Sequence, residues 1–153
     1  MTGTSSIRPA RPDDVPVVLS LVRELADYEQ SLASVHATES DLSAALFGDS
    51  PAAFCHVAEI DGHVVGFALW FLNFSTWVGR HGIYLEDLYV QPGSRGAGVG
   101  RDLLMTLVDI AHERGYGRVE WSVLDWNVDA QGFYRSIGAV PMDDWTVWRL
   151  EIS

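Results

Sequence analysis

Three glycines alternate through Arg95-Gly-Ala-Gly-Val-Gly100, directly after the strand-like run Tyr84-Leu-Glu-Asp-Leu-Tyr-Val90 and at the head of an apolar-periodic stretch from Val99. A strand, a glycine-rich turn and a helix start, in that order, make a place for an anion. The first N–H groups of a helix have no partner inside it. Glycine lets the backbone come close to a ligand, and the positive end of the helix dipole favours negative charge there. The chemistry is the holding of a pyrophosphate. Two other phosphate loops fail on residue identity. The dinucleotide pattern G-x-G-x-x-G meets Arg101 at its third glycine when counted from Gly96, and Leu103 when counted from Gly98. A P-loop begun at Gly93 reaches Gly98 but has Val99 where its lysine must stand. The chain has no lysine anywhere, its ten basic residues all being arginines. That excludes Schiff-base lysine chemistry and lysine-bound pyridoxal phosphate.

Other groups that could do chemistry are sparser. Glu86 and Asp87 are neighbours on a strand and so point to opposite faces, unless the strand bulges between them. The five histidines show no ligand spacing, and no metal is expected. Cys55 is alone, cannot form an internal disulfide, and reads as a small buried strand residue. A formal charge of −11 argues against nucleic acid and is compatible with drawing a cationic small molecule into a cleft. The opening Met1-Thr-Gly-Thr-Ser-Ser6 has no apolar signal core. The longest apolar run, Val64 to Phe74, is interrupted by Gly66 and Asn73 and is too short to span a bilayer. A cytoplasmic protein without membrane attachment is expected.

These residues need elements to position them. A first strand at Ser6–Ala10 is followed by a helix from Asp13 or Asp14 to Tyr28, with Val15, Val18, Val22 and Leu25 on one face. Thr38-Glu-Ser-Asp41 has the form of an N-terminal cap for a second, short helix. Phe54–Ile60 and Val64–Phe74 flank Asp61-Gly62, a hairpin turn. Gly82–Val90 is the next strand, and the cradle helix stops at Gly115. Arg118–Leu124 reads as a strand, Val128–Ile137 as a helix, and Trp145–Ile152 alternates as a final strand. The sum is one α/β domain over residues 1–153 with mixed strand directions.

Arg-Gly-x-Gly-x-Gly after a strand ending Leu-Tyr-Val-Gln-Pro resembles the acetyl-CoA pyrophosphate loop of the GCN5-related N-acetyltransferases (GNAT). Ile83–Val90 and Leu124–Ala139, together with Ile7-Arg-Pro-Ala10, Glu24–Glu29 and Trp77-Val-Gly79, are most similar to the diamine (spermidine/spermine) acetyltransferase branch. The resemblance implies a mostly antiparallel central sheet of α+β type with helices on both faces. It also implies a splay between the strands at Tyr84–Val90 and Arg118–Leu124 that admits acetyl-CoA. Leu88, Val90, Arg95, Gly96, Gly98, Val99, Gly100, Asn127 and Phe133 fall at cofactor-binding positions. Glu86 falls where a carboxylate removes the amine proton through water, and Tyr134 where a tyrosine protonates the departing CoA sulfur. Asp87, Glu29, Asp27 and Trp77 fall on the acceptor side, although one extra residue separates Trp77 from Glu86. From the residues alone Asn127 is equally an N-cap, Asp87 a helix cap and Tyr134 a core side chain.

Acetyl transfer to an amine gives each of these groups a task. A lysine-like or polyamine nitrogen has a pKa near ~10 and arrives protonated, and a thiolate leaves more easily with a proton. The resemblance therefore implies direct acetyl transfer from acetyl-CoA to a small cationic amine, polyamine or diamine first and lysine-like amines such as thialysine second, by a homodimer. The rivals are a non-catalytic acyl-CoA sensor and an enzyme for a protein N-terminus or an antibiotic amine. Tyr28–Ser34 is poor in acidic residues, so with Asp27 and Glu29 remaining a long polycation finds few partners.

Overall fold

The structure, a computed structural model, describes residues 4–152. The chain divides into two compact units, Met1–Ser122 and Val123–Ser153.

The first unit is built on one five-stranded sheet. β1 (Ser6–Pro9), β2 (Phe54–Ile60), β3 (His63–Ser75), β4 (Arg80–Val90) and β5 (Val119–Trp121) lie side by side in chain order. The first four are mutually antiparallel, and β5 runs parallel to β4. Asp61 and Gly62 have φ of 51° and 79°, so the β2–β3 turn is left-handed at both central residues, as an Asp-Gly hairpin requires.

Alternation in the strands sends residues to two helical layers. On one face Cys55, Val57, Phe67 and Tyr89 form a cluster with Val18 and Leu21 of α1 (Val15–Tyr28) and Leu46 of α2 (Glu39–Phe47). Gly66, one residue before Phe67, faces the other way. A Cβ at Gly66 would stand 3.4 Å from Leu103 Cδ1 of α3 (Val99–Arg114) and 2.8 Å from Tyr89 O, so only glycine fits. Leu103, Leu104 and Leu107 of α3 are fully buried. The expected caps are present. Thr38 accepts from Asp41 N–H at 3.1 Å while Asp41 accepts from Thr38 N–H at 2.9 Å, and Gly115 ends α3 with φ of 70°.

An ionic cluster fixes the start of α1. Arg8 of β1 donates to Asp14, in the 3-10 turn that leads into α1, and to Glu59 of β2. The Arg8 guanidinium holds the Asp14 carboxyl below the usual carboxylate range. At the other end, Ser31 N–H reaches Ala26 O at 2.8 Å and Gln30 takes φ of 61°, so α1 stops at Tyr28 and Glu29 in a left-handed C-terminal turn.

In the second unit, α4 (Val128–Ser136) follows a turn and ends before Gly138, which has φ of 93°. One expectation fails here. Trp145–Ile152 forms no strand, and Val147, Trp148, Leu150 and Ile152 are all more than four-fifths exposed. Alternation becomes a strand only when a ladder closes on it, and no ladder reaches these residues. For the same reason β5 keeps only three of the seven residues expected at Arg118–Leu124.

Candidate active site

β4 carries the acidic part of the site, and a bulge shapes it. Leu69 of β3 pairs with Asp87 while Trp70 pairs with Leu85, leaving Glu86 as the extra residue on β4. The rule that would send Glu86 and Asp87 to opposite faces therefore lapses at this point. Glu86 is exposed and Asp87 partly buried. Burial pushes the Asp87 carboxyl up to about 7, and the charges of Glu86 and then Glu29 push in the same direction. Glu29, at the C-terminal end of α1, is itself raised by burial. The charges of Glu86 and Glu29 thus both act on the Asp87 carboxyl, which titrates near neutrality. Asp27, two residues earlier, is exposed. Asp87 caps no helix.

The bulge also marks where the β4–β5 ladder ends. β5 pairs with β4 only at Ile83, Tyr84 and Leu85, so Glu86–Val90 has no parallel neighbour on that side. The ladder thus stops just short of the acidic residues.

The cradle follows at the end of β4. A 3-10 turn over Pro92–Ser94 leads through Arg95 to Gly96 and Gly98, with φ of 89° and 79°, and into α3. Asp102 N–H bonds Gly98 O at 2.9 Å, the first bond of the helix. The N–H groups of Val99, Gly100 and Arg101 precede that bond and have no intrahelical acceptor. The N-cap is Gly98, which has no side chain to satisfy them. Gly96 and Gly98 are required by their left-handed backbone. Gly100 is different: its φ is ordinary, and an added Cβ would meet nothing closer than Val90 Cγ2 at 3.7 Å. The protein itself gives no reason for glycine at 100. The residues of the turn fit a pyrophosphate. Val90 is buried and Leu88 partly buried beside it on β4.

Arg95 does not reach freely into this cradle. Its Nε donates to Val90 O at 2.8 Å, and its guanidinium carbon lies 5.7 Å from the centroid of Tyr28 and 5.5 Å from that of Tyr89. The Tyr89 hydroxyl donates to Glu24 Oε1 and Gln91 Nε2 donates to Glu24 Oε2, both at 3.1 Å. Glu24, Tyr28 and Gln91 have no recognisable spacing in the sequence. They meet only because β4 and α1 pack together.

Asn127, Phe133 and Tyr134 belong to the second unit. Asn127 Oδ1 accepts the Ala130 N–H at 3.3 Å, so the residue is an N-cap of α4. Phe133 and Tyr134 are partly buried, with ring centroids 5.4 Å apart. Gly132 beside them has nothing within 4 Å of an added Cβ. Trp77 stands in the turn between β3 and β4 and is 86% exposed. Asp87 lies seven residues along β4 from Arg80, about 20 Å at strand rise, so Trp77 and Asp87 of one chain sit at opposite ends of the strand. Cys55 is buried and its thiol is pushed up to about 12, first by burial, which makes it inert. Among the described residues there is no cluster of His, Cys, Asp and Glu that could hold a metal, and no helix long and apolar enough to cross a membrane.

Comparison with known proteins gives the family and the fold. A profile of the acetyltransferase (GNAT) family matches residues 20–139. The chain is 38% identical to the bovine (Bos taurus) thialysine N-epsilon-acetyltransferase over 156 aligned positions, covering 95% of this chain and 91% of that protein. It is 33% identical to the human (Homo sapiens) spermidine/spermine N(1)-acetyltransferase-like protein 1, covering 94% of this chain but 22% of that longer protein. Among solved structures, an integron cassette protein from the mobile metagenome of V. cholerae superposes with a TM-score of 0.80 at 26% identity, over 96% of this chain and 92% of that one. The chain belongs to the GNAT acetyltransferase family, in its diamine acetyltransferase branch, and is an acetyl-CoA-dependent N-acetyltransferase.

Proposed function

We propose that the enzyme transfers the acetyl group directly to the primary amine of a short lysine-like substrate, with thialysine as the first candidate, held against the carboxyl groups of Asp87 and Glu29. The observation that carries this reading is the bulge at Glu86, beside which the Asp87 carboxyl is raised to about 7 by burial and by the charges of Glu86 and Glu29. A cationic amine relieves the repulsion among these groups, so binding it favours the charged form of Asp87. Glu86, the exposed member, is the group through which the ammonium proton passes to water before attack. Tyr134 supplies the proton to the leaving sulfur, and Asn127 and Phe133 line the CoA arm. The N–H groups of Val99, Gly100 and Arg101 hold the pyrophosphate.

A short substrate is favoured over a long polyamine for two reasons. The bovine relative is named for thialysine, and Leu32, Ala33 and Ser34 offer no carboxylates beyond Glu29 for further ammonium groups. Thiol release from acetyl-CoA with a panel of amines tests the reading. Thialysine, lysine and ornithine should exceed spermidine and putrescine by at least about tenfold in kcat/KM, roughly 1.4 kcal/mol or more in the barrier. Preference for spermidine would return the polyamine reading. Turnover of an aminoglycoside or a peptide N-terminus alone would overturn both.

A further inference from the structure

We propose that Arg95 is a positioning residue whose guanidinium, within reach of the rings of both Tyr28 and Tyr89, couples the pyrophosphate cradle to the C-terminal end of α1, so that cofactor binding orders the acceptor side of the site. Three observations converge on it. The guanidinium lies within cation–π range of both rings, 5.7 Å and 5.5 Å from their centroids. Its Nε is committed to Val90 O, at the last residue of β4 before the cradle. Tyr28 is followed at once by Glu29, the α1 carboxyl that acts on Asp87.

The two ends of the clamp differ in burial. Tyr89 is buried, and its hydroxyl is tied to Glu24, which also accepts from Gln91. Tyr28 is 43% exposed and stands in the last turn of α1, before the left-handed Gln30. The buried strand side therefore fixes Arg95, and Arg95 in turn bears on the more exposed helix end. Lysine cannot replace it, because a point-like ammonium lacks the flat face that lies over two rings while Nε bonds a carbonyl. Cofactor on the cradle settles the Arg95–Gly98 turn, and the same side chain transmits that order to Tyr28 and Glu29. By linkage, order at Glu29 strengthens the hold on the cofactor by the same factor.

The inference rests on the cradle binding CoA, and the test separates the two ideas. CoA itself is the probe, with affinity by calorimetry and amide hydrogen exchange on the wild type, Tyr28→Phe, Tyr28→Leu and Arg95→Lys. If the wild type does not bind CoA, the cradle reading fails and the clamp with it. If it binds, CoA should slow exchange not only at residues 95–101 but also at 26–31. Tyr28→Leu should abolish the protection at 26–31 and weaken CoA by about two- to fivefold. Tyr28→Phe keeps the aromatic face and should match the wild type in both. Arg95→Lys should lose the remote protection. CoA bound tightly with no protection at 26–31, or protection unchanged in Tyr28→Leu, overturns the clamp. Equal loss in Tyr28→Phe and Tyr28→Leu overturns it also, by assigning the effect to the hydroxyl.

Discussion

Two proton transfers set the residue-scale demands on this enzyme, and Glu86 and Tyr134 are the side chains assigned to them. Glu86→Gln keeps size and removes the charge. It should lower kcat/KM near neutrality by about ten- to a thousandfold, with much of the loss recovered at high pH, where the amine sheds its proton unaided. A deficit constant from pH 6 to pH 10 would instead make Glu86 a binding residue. Tyr134→Phe keeps the ring beside Phe133 and deletes only the hydroxyl. An interaction that strengthens as thiolate charge develops acts on kcat, so kcat should fall by about ten- to a thousandfold, some 1.4–4 kcal/mol, while CoA affinity barely moves. An unchanged kcat with the true acceptor would refute the acid role. Tyr89 is a poor substitute, since its hydroxyl already donates to Glu24 and burial raises its pKa above the usual tyrosine value.

At the scale of elements, what was legible in the sequence was local and what was hidden was long-range. The Asp61-Gly62 hairpin, the Thr38–Asp41 cap and the Gly115 stop are written within four residues each, and all three form as expected. The bulge at Glu86 depends on how β4 registers against Leu69 and Trp70 of β3, which no pattern within β4 reveals. The clamp joins residues 67 and 61 apart in the chain, and Trp145–Ile152 shows the converse, a strand-like alternation without a ladder. The cradle is the element on which local chemistry makes the cleanest prediction. Gly100 lies in the first turn of α3 with ordinary φ and room for a methyl group. Gly100→Ala should therefore hold or raise the melting temperature, as alanine is favoured over glycine in a helix by up to about 1 kcal/mol. Yet it should weaken CoA binding by about tenfold, because a methyl group in the first turn narrows the approach of a pyrophosphate to the free N–H groups. A variant that is stabilised and binds CoA normally would remove Gly100 from the site.

For the whole molecule, the acidic site sets function against stability, and pH makes the conflict measurable. The Asp87 carboxyl, raised to about 7 in the fold, titrates near the ordinary value of 3.8 when unfolded. Between those values the folded protein holds the extra proton, so stability falls as pH rises from about 4 to 7. His56 works in the opposite direction. Its Nδ1 accepts from Trp70 Nε1 at 3.2 Å, and burial followed by the charge of Arg114 holds its pKa below the usual 6.5. Below that value the unfolded chain binds the extra proton, and stability is lost as pH falls. Asp14, depressed by Arg8, adds a further loss below 3.8. Asp87→Asn removes only the first of these effects. Its melting temperature should match the wild type near pH 4 and exceed it increasingly up to pH 7–8, by at least about 5 °C, at roughly 2–4 °C for each kcal/mol in a chain of this size. The same variant should lose acetyl transfer, since the ammonium loses a carboxylate partner, and more stability with less activity is what a charge buried for a substrate produces. Melting curves of the two proteins from pH 4 to pH 8 decide the matter. A difference that stays constant across that range would mean that Asp87 is not held protonated by its surroundings, and the reading of the bulge as an amine site would lose its electrostatic basis.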